Sequence, residues 1–188
     1  YLPGNRWEYS NEGVQVLSQI LCRAAGESLA IYAENNLFRP LGMFNSSLRT
    51  DHRGCVWTYS GMETTARDLA KIGLLMLNKG RWINKQIVSK NWVIQSTQLS
   101  QPLYTGYGLL WWLIEDPKGF AALGGYDNYL GIFPELDLIV VRIQEAPKAG
   151  IEMYRYEANA SKMFTRFLEK EYCERRLFDS MPADSLNY

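Results

Sequence analysis

Two short segments of this chain concentrate the residues that could do chemistry. Near the start, Tyr9, Ser10 and Asn11 stand immediately ahead of an apolar helix pattern. Further on, Gly124–Asn128 combines paired glycines, which let a ligand approach the backbone closely, with polar side chains. Acyl transfer requires a nucleophilic hydroxyl, a group that takes its proton, and hydrogen-bond donors for the developing oxyanion. The two segments hold groups of these general types, namely a phenol, hydroxyls and backbone N–H donors.

The sequence contains few residues of the types that bind metals or cofactors. His52 is the only histidine. The three cysteines, Cys22, Cys55 and Cys173, are widely spaced and follow no metal-ligand pattern. One histidine and scattered acidic residues provide no zinc-type spacing either. We therefore expect no metal and no cofactor.

The composition indicates an ordinary globular protein of neutral charge. Basic and acidic residues number 20 each among 188 residues, and 47% of the residues are hydrophobic. A nucleic-acid-binding protein would show a clustered basic excess, so no nucleic-acid partner is expected. No apolar run approaches the roughly 18 residues of a membrane span, so no transmembrane segment is expected. Tyr1–Gly4 has no signal-peptide features, and the compartment stays open.

Helical periodicity dominates the chain up to about residue 104. Apolar residues recur with a 3.6-residue period after Asn11, and this first helix is predicted to stop at Gly26. Ser28 can cap a second helix that Pro40 should end. The residues predicted to face inward on this second helix are Leu29, Tyr32, Ala33 and Leu37.

Two more helices are predicted after a loop from Gly42 to Gly61. The third is capped by Thr64 or Thr65 and closes at Lys79-Gly80, where a cation and a glycine complete the carboxyl end. Its inward residues are Leu69, Ile72, Leu75 and Met76. A short fourth helix begins at Ser89.

Beyond residue 105 the pattern changes to strands. Four short apolar runs bounded by Gly, Pro and Asp predict a largely antiparallel sheet: Gly108–Ile114, Phe120–Leu123, Tyr129–Phe133 and Leu136–Ile143. The last two are joined by a tight connection at Pro134–Asp137. A terminal helix is predicted from Ile151 to about Arg175.

The order of elements predicts an α+β fold. Residues 1–175 form the predicted domain, with 1–104 mainly helical and 105–175 a sheet covered by the terminal helix, and 176–188 form a tail. Such a thin sheet leaves an exposed edge. Its natural partner is sequence lying before Tyr1.

Several segments, in the same order, resemble the serine β-lactamases, D-peptidases and related esterases. The likeness is closest to the amide-hydrolysing branch that includes 6-aminohexanoate-dimer hydrolase, and it covers roughly residues 1–165. The matching segments are Pro3–Asn11, Gly26–Ser28 with Tyr32, Leu37–Met43, Thr64–Gly73, Tyr107-Gly108 with Trp111-Trp112, and Pro134–Val141.

The resemblance implies roles for residues of both polar segments. In this family the nucleophile lies in a Ser-x-x-Lys motif, and a tyrosine of a second motif relays its proton. Tyr9 fills that position, and Asn11 would hold the relay by hydrogen bonds. The alternatives are an aromatic staple for Tyr9 and a plain helix N-cap for Asn11, which could also serve in both roles.

The resemblance also implies a third motif, on a strand beside the site. The matching residues are Gly124, Gly125, Tyr126, Asp127 and Asn128, and a backbone N–H near Asp127 or Asn128 would help bind the oxyanion. Trp111, Trp112 and Trp57 could line a substrate cleft, although Trp112 fits the core at least as well. His52 falls in a loop that lies near the pocket mouth in the family, which uses Lys and Tyr rather than a histidine base.

Two departures from the family pattern stand out. No serine in this chain is followed three residues later by lysine, and in the family that motif lies well upstream of the Tyr9 segment. In the third motif neither Lys nor His is present, and Asp127 replaces a small residue. A carboxylate beside a forming oxyanion is unfavourable unless it is turned away or paired. The same stretch also fits a glycine-rich bend with a polar turn and no catalytic role.

Two functions are therefore predicted as alternatives. In the first, the chain belongs to a serine hydrolase of amide, ester or β-lactam-type bonds, and the nucleophile is supplied by the N-terminal half of the same fold. Its substrate would be a small amide or ester molecule. In the second, the protein is a catalytically inactive relative that serves as a structural subunit with other subunits of an assembly.

Overall fold

The computed structural model describes residue 2 and residues 4–144. The predicted terminal helix and tail lie outside the described residues. The helices are α1 (Asn11–Ala25), α2 (Leu29–Ala33), α3 (Arg39–Leu41), α4 (Ala66–Leu77) and α5 (Lys90–Ser96). The strands are β1 (Ser47–Leu48), β2 (Met62–Glu63), β3 (Arg81–Trp82), β4 (Lys85–Gln86), β5 (Trp112–Ile114), β6 (Gly119–Leu123), β7 (Tyr129–Phe133) and β8 (Leu138–Arg142). No helix in this part of the chain has the length and apolar character needed to cross a membrane.

Helix α1 ends at Gly26 as predicted, and it starts one residue earlier than predicted. Ser10 caps it, because its Oγ accepts a hydrogen bond of 3.0 Å from the Gly13 N–H. Gly26 adopts a left-handed conformation with φ 71°, and its N–H donates to the Cys22 carbonyl. The N-cap alternative for Asn11 is wrong, since Ser10 holds that position and Asn11 is the first helical residue.

The second predicted helix runs past the proline that was expected to end it. A π-helical turn, Glu34–Phe38, joins α2 to α3, and Pro40 lies inside the last turn. A widened turn tolerates the missing proline N–H, and Gly42, with φ 67°, ends the segment instead. The prediction that Tyr32 faces inward is wrong, because Tyr32 is exposed, whereas Phe38 is buried.

Helix α4 starts and stops where the sequence indicates. Thr65 is the N-cap, and its side chain accepts from the Asp68 N–H. At the other end Lys79 and Gly80 are both left-handed, and the Gly80 N–H donates to the Leu75 carbonyl at 2.7 Å. The hairpin of β3 and β4 follows, and α5 begins after its cap Ser89 as predicted.

The main sheet is four-stranded and antiparallel in the order β5-β6-β7-β8. Strand β7 matches its prediction at both ends. Strand β5 is shorter than predicted because Leu110 is left-handed, with φ 66°, and the Leu109 N–H donates to the Ser96 carbonyl rather than to a strand. Strand β8 starts only at Leu138, because Pro134–Leu136 forms a 3₁₀ turn that closes at a left-handed Asp137.

Helix α4 lies between two hydrophobic clusters. Met76 on one side packs with Phe120, Leu130 and Ile132 of the sheet. Leu75 on the other side packs with Phe38 and Leu41 of the α2–α3 segment. This helix therefore joins the helical part of the chain to the sheet, as the two-sided apolar pattern of its sequence requires.

Candidate active site

Tyr9 lies two residues before α1 and packs its ring against two aromatic side chains. The ring stacks on Trp112, with centroids 5.9 Å apart and planes at 25°, and meets Tyr107 edge-on at 6.2 Å. Trp112 and Tyr107 are both buried, whereas Tyr9 is 44% exposed. The ring of Tyr9 is thus held on its inner side while part of the residue stays open to solvent.

Trp7 and Tyr104 extend this packing into an aromatic cluster, which we define as Trp7, Tyr9, Tyr104, Tyr107 and Trp112. Trp7 stacks on Tyr104 at 4.4 Å and also contacts Tyr107 and Trp112. Burial raises the pKa of Tyr107 to about 12, and charge repulsion from the neighbouring Tyr9 adds to the effect. The Tyr107 phenol is therefore protonated throughout the neutral range.

Asn11 begins α1 and is exposed on the wall of a cavity of about 740 Å³. The loop from Asp51 to Tyr59 forms the opposite wall. Charged side chains of both signs line this cavity, namely Glu12, Arg23, Asp51 and Arg53. Asn11 follows Tyr9 by two residues, and its side chain makes no hydrogen bond to another described residue.

The loop that walls this cavity is tied to α1 by hydrogen bonds. The Gln15 side chain donates to the Val56 carbonyl at 3.0 Å and accepts from the Thr58 N–H at 3.1 Å. The Thr58 hydroxyl donates to the Val14 carbonyl at 2.7 Å. These three hydrogen bonds hold the loop against the start of α1, which directly follows the Tyr9 segment.

Gly124–Asn128 forms the tight hairpin turn between β6 and β7 rather than a strand. Tyr126 and Asp127 are both left-handed, with φ 58° and 59°. The Asn128 side chain donates to the Gly125 carbonyl at 2.8 Å and accepts from the Gln144 N–H at 2.7 Å. Consecutive left-handed residues other than glycine store backbone strain, which the Asn128 bonds offset.

The carboxylate of Asp127 is paired. Its Oδ2 lies 3.5 Å from a guanidinium nitrogen of Arg142, at the end of β8, and both side chains are largely exposed. The Asn128 N–H donates to the Gly125 carbonyl, and the Gly124 N–H donates to the Asn128 carbonyl. These two backbone hydrogen bonds thus join residues of the turn to each other. Arg142 offsets the negative charge of Asp127, a residue that replaces the small one of the family pattern.

The aromatic cluster and the hairpin turn lie at the same end of the sheet. Trp112 opens β5 and pairs with Ala121 of β6, which runs in the opposite direction. Gly124 stands three residues beyond Ala121, about 10 Å along an extended chain. The structure therefore brings the Tyr9 segment and the Gly124–Asn128 turn, which are far apart in sequence, to one edge of the molecule.

Trp111 points to the other face of the sheet. Its ring meets Phe120 edge-on at 5.2 Å and packs against the core cluster that contains Met76. Neighbouring residues on an extended chain face opposite sides, so Trp112 joins the Tyr9 cluster where Trp111 cannot. The sequence analysis favoured Trp111 for the substrate cleft and Trp112 for the core, whereas Trp111 packs against the core cluster and Trp112 packs against Tyr9.

His52 is exposed in a turn that Asp51 organises. The Asp51 carboxylate accepts from the Cys55 and Arg53 N–H groups at 2.9 and 2.8 Å, and these bonds hold its pKa below the usual range. Among residues 4–144, no three His, Cys, Asp or Glu side chains are grouped as metal ligands.

The fold described above is that of the β-lactamase/transpeptidase class, an α+β arrangement with an antiparallel sheet. Residues 1–160 match the family described as Beta-lactamase, and the chain belongs to that family.

Known relatives extend the comparison. The chain is 24% identical over 158 residues to 6-aminohexanoate-dimer hydrolase from Paenarthrobacter ureafaciens, covering 75% of this chain and 40% of that protein. A candidate 6-aminohexanoate-dimer hydrolase from Bacillus anthracis matches with a TM-score of 0.71 and 24% identity over 97% of this chain and 47% of that one. A β-lactamase from Mycobacterium bovis matches with a TM-score of 0.62 and 22% identity over 75% of this chain and 57% of that one. The chain thus spans about half the length of these relatives, and the structural likeness establishes the fold.

Proposed function

We propose that this chain is the C-terminal part of a serine hydrolase that cleaves amide, ester or β-lactam-type bonds through an acyl-enzyme. The nucleophile is a serine of a Ser-x-x-Lys motif supplied by sequence outside these 188 residues. The membership in the Beta-lactamase family supports the reaction class. The span of about half of each relative leaves room for the motif in the remaining half.

The observation that carries the proposal is the placement of Tyr9. Its ring is fixed by Trp112 and Tyr107, yet the residue is partly open to solvent at the edge that also holds the Gly124–Asn128 turn. A proton relay needs a fixed orientation and access to the reacting atoms, and this packing provides both. An aromatic staple alone would require only the buried side of the ring.

The reaction then divides into two balanced steps. The serine oxygen bonds to the substrate carbonyl carbon, the bond from that carbon to the leaving nitrogen or oxygen breaks, and Tyr9 passes the serine proton to the leaving atom. The oxygen of a water molecule next bonds to the acyl carbon, and the bond from that carbon to the serine oxygen breaks. One water proton returns to the serine oxygen through Tyr9, and the carboxylic acid leaves. Asn11, beside Tyr9 at the start of α1, orients the relay in this scheme.

The hairpin turn supplies the electrostatic part of the proposal. A developing oxyanion gains from backbone N–H donors and is disfavoured by a nearby carboxylate. The Asn128 N–H already donates to the Gly125 carbonyl, so the donor in this proposal is the N–H at Asp127. The pairing of Asp127 with Arg142 reduces that penalty, and the left-handed backbone at Tyr126 and Asp127 turns the peptide units away from strand geometry. Gly125, which lines a cavity beside this turn, allows substrate to approach the backbone.

The test is covalent labelling of the full-length gene product with a fluorophosphonate. We expect stoichiometric labelling of the folded protein, and protection by a β-lactam or an amide substrate. A folded full-length protein that takes up no label would rule out the serine-hydrolase proposal.

A second candidate function is that of a catalytically inactive subunit, and the absence of Lys and His from the Gly124–Asn128 turn favours it. Apolar side chains stand exposed along the α1 and α2 surface, with Val16 at 59%, Ile20 at 54% and Ile31 at 54%. Surfaces of this kind mark sites where other protein is bound. In the hydrolase proposal they bind the N-terminal half of the same fold, and in the subunit proposal they bind other chains. A full-length protein that lacks Ser-x-x-Lys and purifies only within a larger assembly would support the subunit.

A further inference from the structure

A second cavity, of about 510 Å³, lies between the loop at 56–64 and the end of the sheet that carries the hairpin turn. We call it the acyl cavity, and the residues that define it here are Leu48, Trp57, Ser60, Leu69, Ala122 and Leu130. Its size is that of a small-molecule site. Gly125 and Asn128 of the hairpin turn also line it, so it opens beside the backbone that the proposed reaction uses.

The described walls of the acyl cavity carry no Asp, Glu, Lys or Arg side chain. The neighbouring cavity beside Asn11 differs sharply, since Glu12, Arg23, Asp51 and Arg53 line it. Tyr59 lines both cavities. The two cavities thus lie on neighbouring parts of the same loop but differ in the charge of their walls.

Three polar side chains in the walls of the acyl cavity are already bound within the protein, whereas the buried Tyr129 hydroxyl, a neutral group, has no hydrogen-bond partner among the described residues. The Thr58 hydroxyl donates to Val14, and the Thr64 hydroxyl lies 2.7 Å from the Ser46 hydroxyl. Asn128 binds Gly125 and Gln144 through its two amide atoms. An ammonium or carboxylate placed here would lose its water without gaining a partner of opposite charge, which is strongly unfavourable.

We infer that the acyl cavity binds the uncharged, aliphatic acyl group of an amide or ester substrate, and that it discriminates against acyl chains that end in an ammonium group. The inference rests on the proposed function for the reacting bond, because it places that bond beside Gly125. A site that accepts acyl groups with a charged end would need an oppositely charged side chain in its wall, which the described walls of the acyl cavity lack.

Binding of non-reactive amides to the full-length gene product tests the inference without any turnover. The probes are hexanamide, octanamide and 8-aminooctanamide, measured by calorimetry and by Trp57 fluorescence. Affinity should rise about fourfold per methylene from hexanamide to octanamide. The ammonium analogue should bind at least about tenfold more weakly than octanamide. Equal or tighter binding of 8-aminooctanamide, or no dependence on chain length, would overturn the inference.

Matched variants locate the binding. Trp57→Phe should abolish the fluorescence response while calorimetric binding persists, and an unchanged response would place the ligand elsewhere and refute the inference. Ser60 is exposed in the loop wall, so its variants should fold. Ser60→Asp should recover binding of the ammonium analogue, whereas the isosteric Ser60→Asn should not. If both variants behave alike, charge does not govern the cavity and the inference fails.

The outcomes separate the inference from the proposed function. Neutral-chain preference without fluorophosphonate labelling refutes the hydrolase proposal and leaves the cavity assignment standing. Labelling with no preference between octanamide and its ammonium analogue refutes the cavity assignment alone.

Discussion

At the scale of single residues, the proposed chemistry depends on how Tyr9 is held. Trp112 and Tyr107 contact its ring from two directions, one stacked and one edge-on, and within the described residues no hydrogen bond of the Tyr9 side chain accompanies these contacts. Preorganisation of this kind lowers the entropy that a proton relay would otherwise lose on reaching the transition state. The hydroxyl and the ring therefore have separable roles.

Replacement of Tyr9 by phenylalanine separates them. Tyr9→Phe keeps the ring contacts, so the melting temperature of the full-length protein should be nearly unchanged. Loss of the relay should lower the rate of substrate turnover by about 10²- to 10⁴-fold. Tyr104→Phe, in the same cluster and similarly exposed, is the matched control and should keep its rate. Normal turnover by Tyr9→Phe would remove Tyr9 from the mechanism.

Asp68 has a structural role, because it joins α4 to the segment that precedes β1. It is buried on α4, pairs with Lys71 at 2.8 Å, and accepts from the Asn45 N–H at 3.2 Å and the Ser46 hydroxyl at 3.1 Å. Lys71 also donates to the Gly42 carbonyl. The hydrogen bond from Lys71, and those from Asn45 and Ser46, lower the pKa of this carboxyl despite its burial.

The pH dependence of unfolding should report this carboxylate. A lowered pKa in the folded state means that its stabilisation is complete above the unfolded value near 3.8 and is lost as the pH falls through the folded value. Asp68→Asn should therefore cost about 1.5–3 kcal/mol at pH 7. In urea titrations the difference from the wild type should shrink as the pH is lowered toward 2. A difference in unfolding free energy that does not change with pH would contradict the charged role of Asp68. Asp127→Asn, at an exposed carboxylate, is the control and should change the unfolding free energy much less.

At the scale of elements, local signals predicted much of the fold. The Thr65 cap, the end of the first helix at Gly26 and the bounds of β7 all follow from nearest neighbours in sequence, and the structure confirms the positions indicated for them. The sequence indicated Asn11 as the N-cap of α1, whereas Ser10 holds that position. Pro40 does not end the second helix as predicted, because the π-helical turn Glu34–Phe38 accommodates a proline that the interior of a regular α-helix would not.

The misses in the candidate site have a different origin. The aromatic cluster joins residues about a hundred positions apart, and a single sequence carries no signal for such pairing. The richness in aromatic residues was visible, and so was the Trp111-Trp112 pair, but the face that each occupies depends on where β5 begins. A left-handed Leu110 shifts that beginning, and no local pattern predicts it.

Close packing of α4 on the sheet gives a test at this scale. A Cβ atom added to Gly73 would lie 2.6 Å from the Ile139 side chain of β8. Gly73→Ala should therefore destabilise the protein by about 1–3 kcal/mol through overpacking. Gly13→Ala, in the open first turn of α1, should instead stabilise it by about 0.4–1 kcal/mol. Thermal unfolding of the two variants compares them directly, and the account of the α4 interface fails if Gly73→Ala is neutral.

At the scale of the whole molecule, the described part is a helical segment and a sheet joined through α4. The charged cavity beside Asn11 and the exposed apolar side chains Val16 and Ile20 both lie along α1. The hydrolase proposal assigns that surface to the half of the fold that carries the nucleophile.

The most direct test of this account is the position of the covalent label in the full-length protein. After reaction with a fluorophosphonate, peptide mass spectrometry should find one modified serine, three residues before a lysine, in a peptide outside residues 1–188, and Tyr9→Phe should slow its labelling. A label on a serine within residues 1–188, or a folded protein that stays unlabelled, would contradict the account.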